Sequence, residues 1–264
     1  MPVKHKLIML KLLQINFHRI PVPIIVLGII MLSLAIRFAV WYLEPVISRD
    51  GISYIQLAGT LQLAEKNFDQ LAQMQGEYKQ SPLFITILAS NILGASPHII
   101  ALTLNLFCGS LFPILIYIIF IQLLEKPAIA LLGALFAAVH PTLVNYSIEV
   151  QREMGYLFFA GCFFYCLIGI LKRKDWYWSG GAGAAAITAF FFRYEGAELF
   201  CFAAIVYLTM CFAKDVLWKK LFLHLAFFAF CTILTVMIIL AASQKSSIDW
   251  WKNSYNKISS YLKV

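Results

Sequence analysis

The chain has 264 residues, of which 61% are hydrophobic and 13% charged, and its mean hydropathy is +0.80. Soluble domains carry about 25% charged residues, so the composition excludes a soluble fold of this size. The net charge of +8 does not mark a nucleic-acid binder, because the lysines and arginines form short clusters between apolar runs, where the positive-inside rule places them.

Runs of about 18 or more apolar residues recur, each long enough to cross a bilayer core as a helix. A membrane strand would instead alternate polar and apolar over about ten residues. The expected fold is therefore all-α, a polytopic helical bundle. Residues 1–22 form a basic segment with Lys4, Lys6, Lys11 and Arg19, expected on the cytoplasmic side. The first span, 23–43, is too long and too bulky at its end for a cleaved leader, so it is a retained helix. Arg37 inside it is expected to snorkel toward the interface.

The loop 44–97 is the one long polar stretch, and long loops in compact proteins are usually functional. It holds Glu44, Asp50, Glu65, Asp69 and Glu77 against Arg49, Lys66 and Lys79, a net of −2. Asp50 lies in SRDGISYIQLAGTLQ just past the first span. Asp50-Gly51 reads as a turn, with Tyr54 and Ala58 following on one helical face. A carboxylate held there could accept a proton from an incoming hydroxyl; it could equally cap the next helix. The loop closes on Tyr78-Lys79-Gln80-Ser81-Pro82-Leu83, where Pro82 is a helix-start signal.

The segment Pro82–Gly94 would rise about 20 Å as a helix, too little to span unaided. Charge decides its status. If it does not cross, the N-terminal basic residues, Lys172-Arg173-Lys174, and Lys214 with Lys219 and Lys220 all share one face; if it crosses, the later clusters break the positive-inside rule. It is therefore read as a juxtamembrane or re-entrant helix of the external loop, tolerable at membrane depth only when packed against protein.

Six further spans are predicted at 98–123, 128–147, 154–171, 177–192, 196–213 and 221–242, making seven. His140-Pro141 falls within the third, and the loop after it gathers Glu149, Arg152 and Glu153. The two glutamates are four apart and share a helical face; the cluster reads either as a charged turn or as part of a site. Gly180, Gly181 and Gly183 give one helix a smooth packing face. Arg193-Tyr194-Glu195-Gly196, followed by Glu198, puts ionisable groups at a membrane helix end, where they are functional candidates by default. Arg193 could grip a phosphate in bidentate fashion or pair with Glu195. The tail 243–264 places Ile248, Trp251, Tyr255, Ile258 and Leu262 at helical spacing with lysines between, an interfacial amphipathic helix. The six cysteines lie inside apolar runs without a CxxC pair, so neither a disulfide framework nor a zinc site is expected.

In order and spacing these elements resemble the N-terminal half of the GT-C membrane glycosyltransferases, particularly the branch of the protein O-mannosyltransferases and the lipid A aminoarabinose transferase. In that family an acidic residue follows the first span, with an aromatic and a small residue on the same helix; here these are Asp50, Tyr54 and Ala58. A Pro-Pro-Leu element closing the first external loop is matched by Ser81-Pro82-Leu83, with serine in place of the first proline. A His-Pro element and a second acidic residue are matched by His140-Pro141 and Glu149 or Glu153, and an Arg-x-Glu-Gly element by Arg193 to Gly196. Members commonly have a first Asp-Glu pair where this chain has Asp50-Gly51, and eleven or more spans where seven are read here.

The resemblance implies sugar transfer from a polyprenyl-phosphate donor to a lipid, glycan or protein acceptor at the external face of the plasma (inner) membrane. Asp50 would be the general base, with Glu149 or Glu153 orienting the acceptor. Arg193, Arg152 and Lys79 would neutralise the donor phosphate, and Tyr54, Pro82, His140 and Glu195 would support them. A divalent metal is compatible with the superfamily, but no ligand cluster demands one and no metal-binding residue is assigned. Membrane lipids are expected neighbours, and the shorter span count leaves room for a partner chain that supplies further helices. The rival expectation is a non-catalytic membrane protein, a transferase remnant or an assembly subunit. A secondary transporter would place its ionisable groups near the midplane, often in repeated halves, and this chain does neither.

Overall fold

The computed structural model describes residues 22–43, 47–63, 82–90, 94–212 and 218–242. They form ten α-helices and no strand. The helices are α1 (Val22–Leu43), α2 (Arg49–Leu63), α3 (Pro82–Leu88), α4 (Pro97–Leu124), α5 (Pro127–Val139), α6 (Pro141–Ile148), α7 (Glu153–Arg173), α8 (Tyr177–Phe192), α9 (Ala197–Phe212) and α10 (Trp218–Ala242). A 3-10 turn, Tyr194–Gly196, joins α8 to α9. The chain is an all-α polytopic bundle. Lys79 and the tail 243–264 lie outside the described residues.

Each of the seven expected spans is helical, but not all cross alike. Among the described residues five helices are long and apolar enough to span: α1, α4, α7, α9 with its preceding turn, and α10. The expected span 128–147 is instead two helices bent by 52°. Pro141 has no N–H to continue the α5 ladder, and the residue before a proline is pushed out of the helical region. His140 accordingly sits at φ −61°, ψ 121°. Helix α8 has 16 residues and rises about 24 Å, short of a full span.

Tight connections set the helices antiparallel. Both the α4–α5 and α7–α8 turns contain a left-handed residue, Glu125 at φ 55° and Lys174 at φ 57°, that returns its N–H to the preceding helix. The α8 stripe Ala182, Ala185, Ala186 and Ala189 is buried against α7 and α9. On the α10 side, a Cβ added at Gly183 would lie 2.5 Å from the Phe228 carbonyl oxygen, so only glycine permits that approach.

The bundle has two chemically distinct ends. At one, Lys172 Nζ pairs with Glu125 at 3.0 Å, and His224 of α10 faces the Lys174 carbonyl; Lys126, Lys219 and Lys220 lie beside these turns. The start of α1 packs toward this end, with Ile25 and Ile29 near Tyr117, Ile121 and Ala130. At the other end lie the 149–153 loop, the 193–196 turn, and the short helices α2 and α3. Helix α3 covers only seven residues, and both it and the start of α4 pack on this end. Ala89 and Ser90 form a turn after α3, and residues 91–93 of the expected Pro82–Gly94 helix lie outside the described residues.

Arg37 does not snorkel. It is completely buried, two thirds of the way along α1, and bonded to four groups of its surroundings. The snorkelling expectation assumed a lipid-facing side chain, but Ser33 and Arg37 share the α1 face that packs on α4 and α6.

Candidate functional site

Ser48 opens α2: its Oγ accepts from the Gly51 N–H at 3.1 Å, the N-cap bond. Asp50 is therefore not the cap, and Asp50-Gly51 is the first helical turn rather than a turn before the helix. The Asp50 side chain is exposed at the positive end of the helix dipole and makes no hydrogen bond or ion pair within the described residues. Its neighbour Gly51 is buried against Val150; an added Cβ there would lie 2.9 Å from the Val150 carbonyl oxygen. That approach puts the start of α2 directly on the 149–153 loop.

The next turns of α2 anchor it. Tyr54 and Ala58 are buried, and the Tyr54 ring meets Phe84 of α3 edge-on, with centroids 5.5 Å apart. Phe84 in turn lies 6.3 Å from Phe192 at the end of α8, and Phe192 stacks on Phe159 of α7. An apolar floor thus joins α2, α3, α7 and α8 beneath the polar residues. Pro82 supplies the first residue of α3.

Above that floor the 149–153 loop is held from α4. Asn105, fully buried, donates through Nδ2 to the carbonyls of Glu149 and Gln151 at 2.7 Å each. Within the loop Gln151 Nε2 donates to the Glu149 carboxylate. Partial burial, and then the neighbouring Glu153, push the Glu149 carboxyl above its ordinary value. A raised carboxyl pKa is a recurrent feature of acid–base sites.

Arg193 bridges two carboxylates. Its Nη1 donates to Glu153 Oε1 at 2.9 Å, and its Nη2 and Nε donate to Glu195 at 2.9 and 3.3 Å. Bonding to Glu195 raises the guanidinium pKa further, so it stays charged. Arg152 Nε lies 3.9 Å from Glu153. The Arg193 guanidinium also sits 5.9 Å from the Tyr156 ring centroid, and the Tyr156 hydroxyl donates to Glu198 at 2.6 Å. Gly196 makes the turn possible: a Cβ there would fall 2.5 Å from the Phe190 backbone nitrogen.

The fold thus brings Glu149, Arg152, Glu153, Arg193 and Glu195 together, with Asp50 and Tyr54 on the helix packed against the same loop. His140 is not part of the group. It sits at the α5–α6 break against Phe136, a whole helix away from Glu149. Among the described residues, no three His, Cys, Asp or Glu side chains gather as a metal site. Two contributors, Asn105 and Tyr156, have no role in the sequence reading. A lone carboxamide inside an apolar span is the signal that would have marked Asn105; a tyrosine near a helix start gives no comparable signal.

Comparison with known families matches residues 81–240, more than half of the chain, to dolichyl-phosphate-mannose-protein mannosyltransferase. The match includes the 149–153 loop and the 193–196 turn and leaves Asp50 and Tyr54 outside it. No curated protein and no solved structure matches the chain. With an all-helical membrane bundle and this match over more than half of its length, the chain belongs to the dolichyl-phosphate-mannose-protein mannosyltransferase family of membrane glycosyltransferases, of the GT-C type.

Proposed function

We propose that the chain transfers a sugar from a polyprenyl-phosphate donor to a hydroxyl or amine at the external face of the plasma (inner) membrane, with its N-terminus cytoplasmic. The observation that supports this most is the convergence, at the bundle end opposite the lysines, of an exposed carboxylate, a carboxylate loop and a bridging arginine.

In this reading the acceptor oxygen or nitrogen attacks the anomeric carbon from the face opposite the phosphate, and the configuration inverts. Its proton passes to Asp50, the bond from the anomeric carbon to the phosphate oxygen breaks, and the phosphodiester leaves as a monoester. The extra negative charge on the leaving phosphate is met by Arg193 and Arg152, with Lys79 as a further cation. Glu153 and Glu195 hold Arg193, so a donor phosphate takes over contacts that the carboxylates supply. Glu149 or Glu153 orients the acceptor, or a divalent ion should one bind. The lipid tail, membrane lipids and any partner chain that supplies further helices lie along the exposed apolar faces of α1 and α10.

The test is turnover of dolichyl-phosphate mannose by the full chain in bilayers containing cell-derived acceptors, read as release of dolichyl phosphate. Wild type is expected to turn over, and Asp50→Asn to lose about 10²–10⁴-fold, the usual cost of losing a general base, while still inserting. Near-normal Asp50→Asn with collapse in Glu149→Gln or Glu153→Gln would move the base to the loop. Absence of any wild-type turnover would contradict the transferase reading.

A further inference from the structure

Arg37 is a guanidinium inside a membrane span with no carboxylate partner among the described residues, an arrangement that membrane proteins tolerate only for a purpose. Its surroundings are built to receive it. Nη1 donates to Ser33 Oγ at 2.6 Å, to the Ser33 carbonyl at 3.2 Å and to the Ala138 carbonyl at 3.1 Å. Nε donates to Ser147 Oγ at 3.0 Å. Gly109 of α4 leaves the space: a Cβ there would lie 2.1 Å from Ser147 Oγ and 2.9 Å from Arg37 Nε.

The acceptors lie on both sides of the break at His140-Pro141. Ala138 is in the last turn of α5, whose terminal carbonyls have lost the regular helical continuation. Ser147 is in the last turn of α6, two residues before Glu149. One side chain therefore joins both halves of the broken span, and Asn105 takes over where Ser147 ends by bonding the Glu149 and Gln151 carbonyls. The remaining nitrogen, Arg37 Nη2, has no hydrogen-bond partner among the described residues.

We propose that Arg37 is a positioning residue: by clasping the broken α5–α6 span at Ala138 and Ser147, it sets where the 149–153 loop begins and so where its carboxylates stand. Its consequence for turnover rests on the transferase reading; its consequence for the loop does not. Ser147→Ala removes the α6 grip together with the Ser147 Oγ bonds to the Leu143 carbonyl at 2.6 Å and to Met154 Sδ at 3.3 Å, so Arg37→Lys, which leaves those two in place, is the variant that isolates the clasp. Arg37→Lys cannot reach Ser33, Ala138 and Ser147 together.

The experiment is amide hydrogen exchange on the full chain in lipid nanodiscs, comparing segment 145–156 with segment 174–180 at the lysine end. In Ser147→Ala, exchange in 145–156 should quicken by about tenfold while 174–180 is unchanged, a local rather than global opening. Arg37→Lys should open the same segment, and the double variant should add little, because both changes break one contact. With dolichyl-phosphate mannose, Ser147→Ala should lose turnover about tenfold while donor binding stays within about twofold, since Glu195 still holds Arg193. Unchanged exchange in 145–156, or equal quickening in both segments, would overturn the clasp. A wild type that binds no donor would overturn the transferase reading, and the exchange result would still decide the clasp.

Discussion

Partial burial and the adjacent Glu153 hold the Glu149 carboxyl above the ordinary glutamate value. The folded protein then binds this proton more tightly than the unfolded chain, so the group contributes stability that is lost as pH rises through the raised value. Glu149→Gln removes the cost of the buried charge at neutral pH. The variant should melt higher than wild type in detergent at neutral pH, and its advantage should shrink as pH falls from the raised value toward the ordinary one. A pH-independent difference, or a loss at neutral pH, would contradict this. At this scale the sequence shows the Arg193–Glu195 pair, because they stand two positions apart, whereas a separation of 40 positions hides the second half of the bridge, from Arg193 to Glu153. Ser48 rather than Asp50 caps α2 for a local reason: the capping oxygen must precede the first helical residue, and the helix starts one residue before Asp50.

Small residues govern how closely the helices approach, and they give the element-scale prediction. A Cβ at Gly183 would meet the α10 backbone, whereas Gly28 of α1 has nothing within 4 Å of where its Cβ would be. Gly183→Ala should destabilise by about 1–3 kcal/mol, the usual cost of overpacking. Gly28→Ala should be neutral or mildly stabilising, since alanine is the better helix former. Equal thermal midpoints for the two in one detergent would show that α8 and α10 are not so closely packed. Seven helical segments were legible because each is a long apolar run. The 52° break was not, because apolar character continues through His140-Pro141 on both sides and only the missing proline N–H interrupts the ladder. The role of Arg37 was hidden for a related reason: a lone arginine near a span end snorkels in lipid, and only the three-dimensional placement of Ser33, Gly109 and Ser147 shows that it faces protein.

Charge separates the two ends of the whole molecule, and that much is legible in the positions of lysine and arginine along the chain. The fold adds that α2, α3, the 149–153 loop and the 193–196 turn share the end away from Lys126, Lys172 and Lys174. If the lysine end is cytoplasmic, Ile47→Cys in a cysteine-free background should react with an impermeant maleimide added outside intact cells and Lys126→Cys should not; the reverse pattern would invert the proposed orientation. The claim on which everything functional rests is that the acidic end binds a sugar through its polyprenyl phosphate, with Arg193 as the phosphate ligand. Binding of dolichyl-phosphate mannose to the full chain in nanodiscs, compared between wild type and Arg193→Lys, tests it most directly. Lysine keeps the charge near Glu153 and Glu195 but cannot reproduce the planar fork. The account predicts that wild type binds and that Arg193→Lys binds more weakly by ~1.5–3 kcal/mol, the range for hydrogen bonds to charged groups, at a nearly unchanged melting temperature. Equal binding by the two proteins, or no binding by wild type, would contradict it.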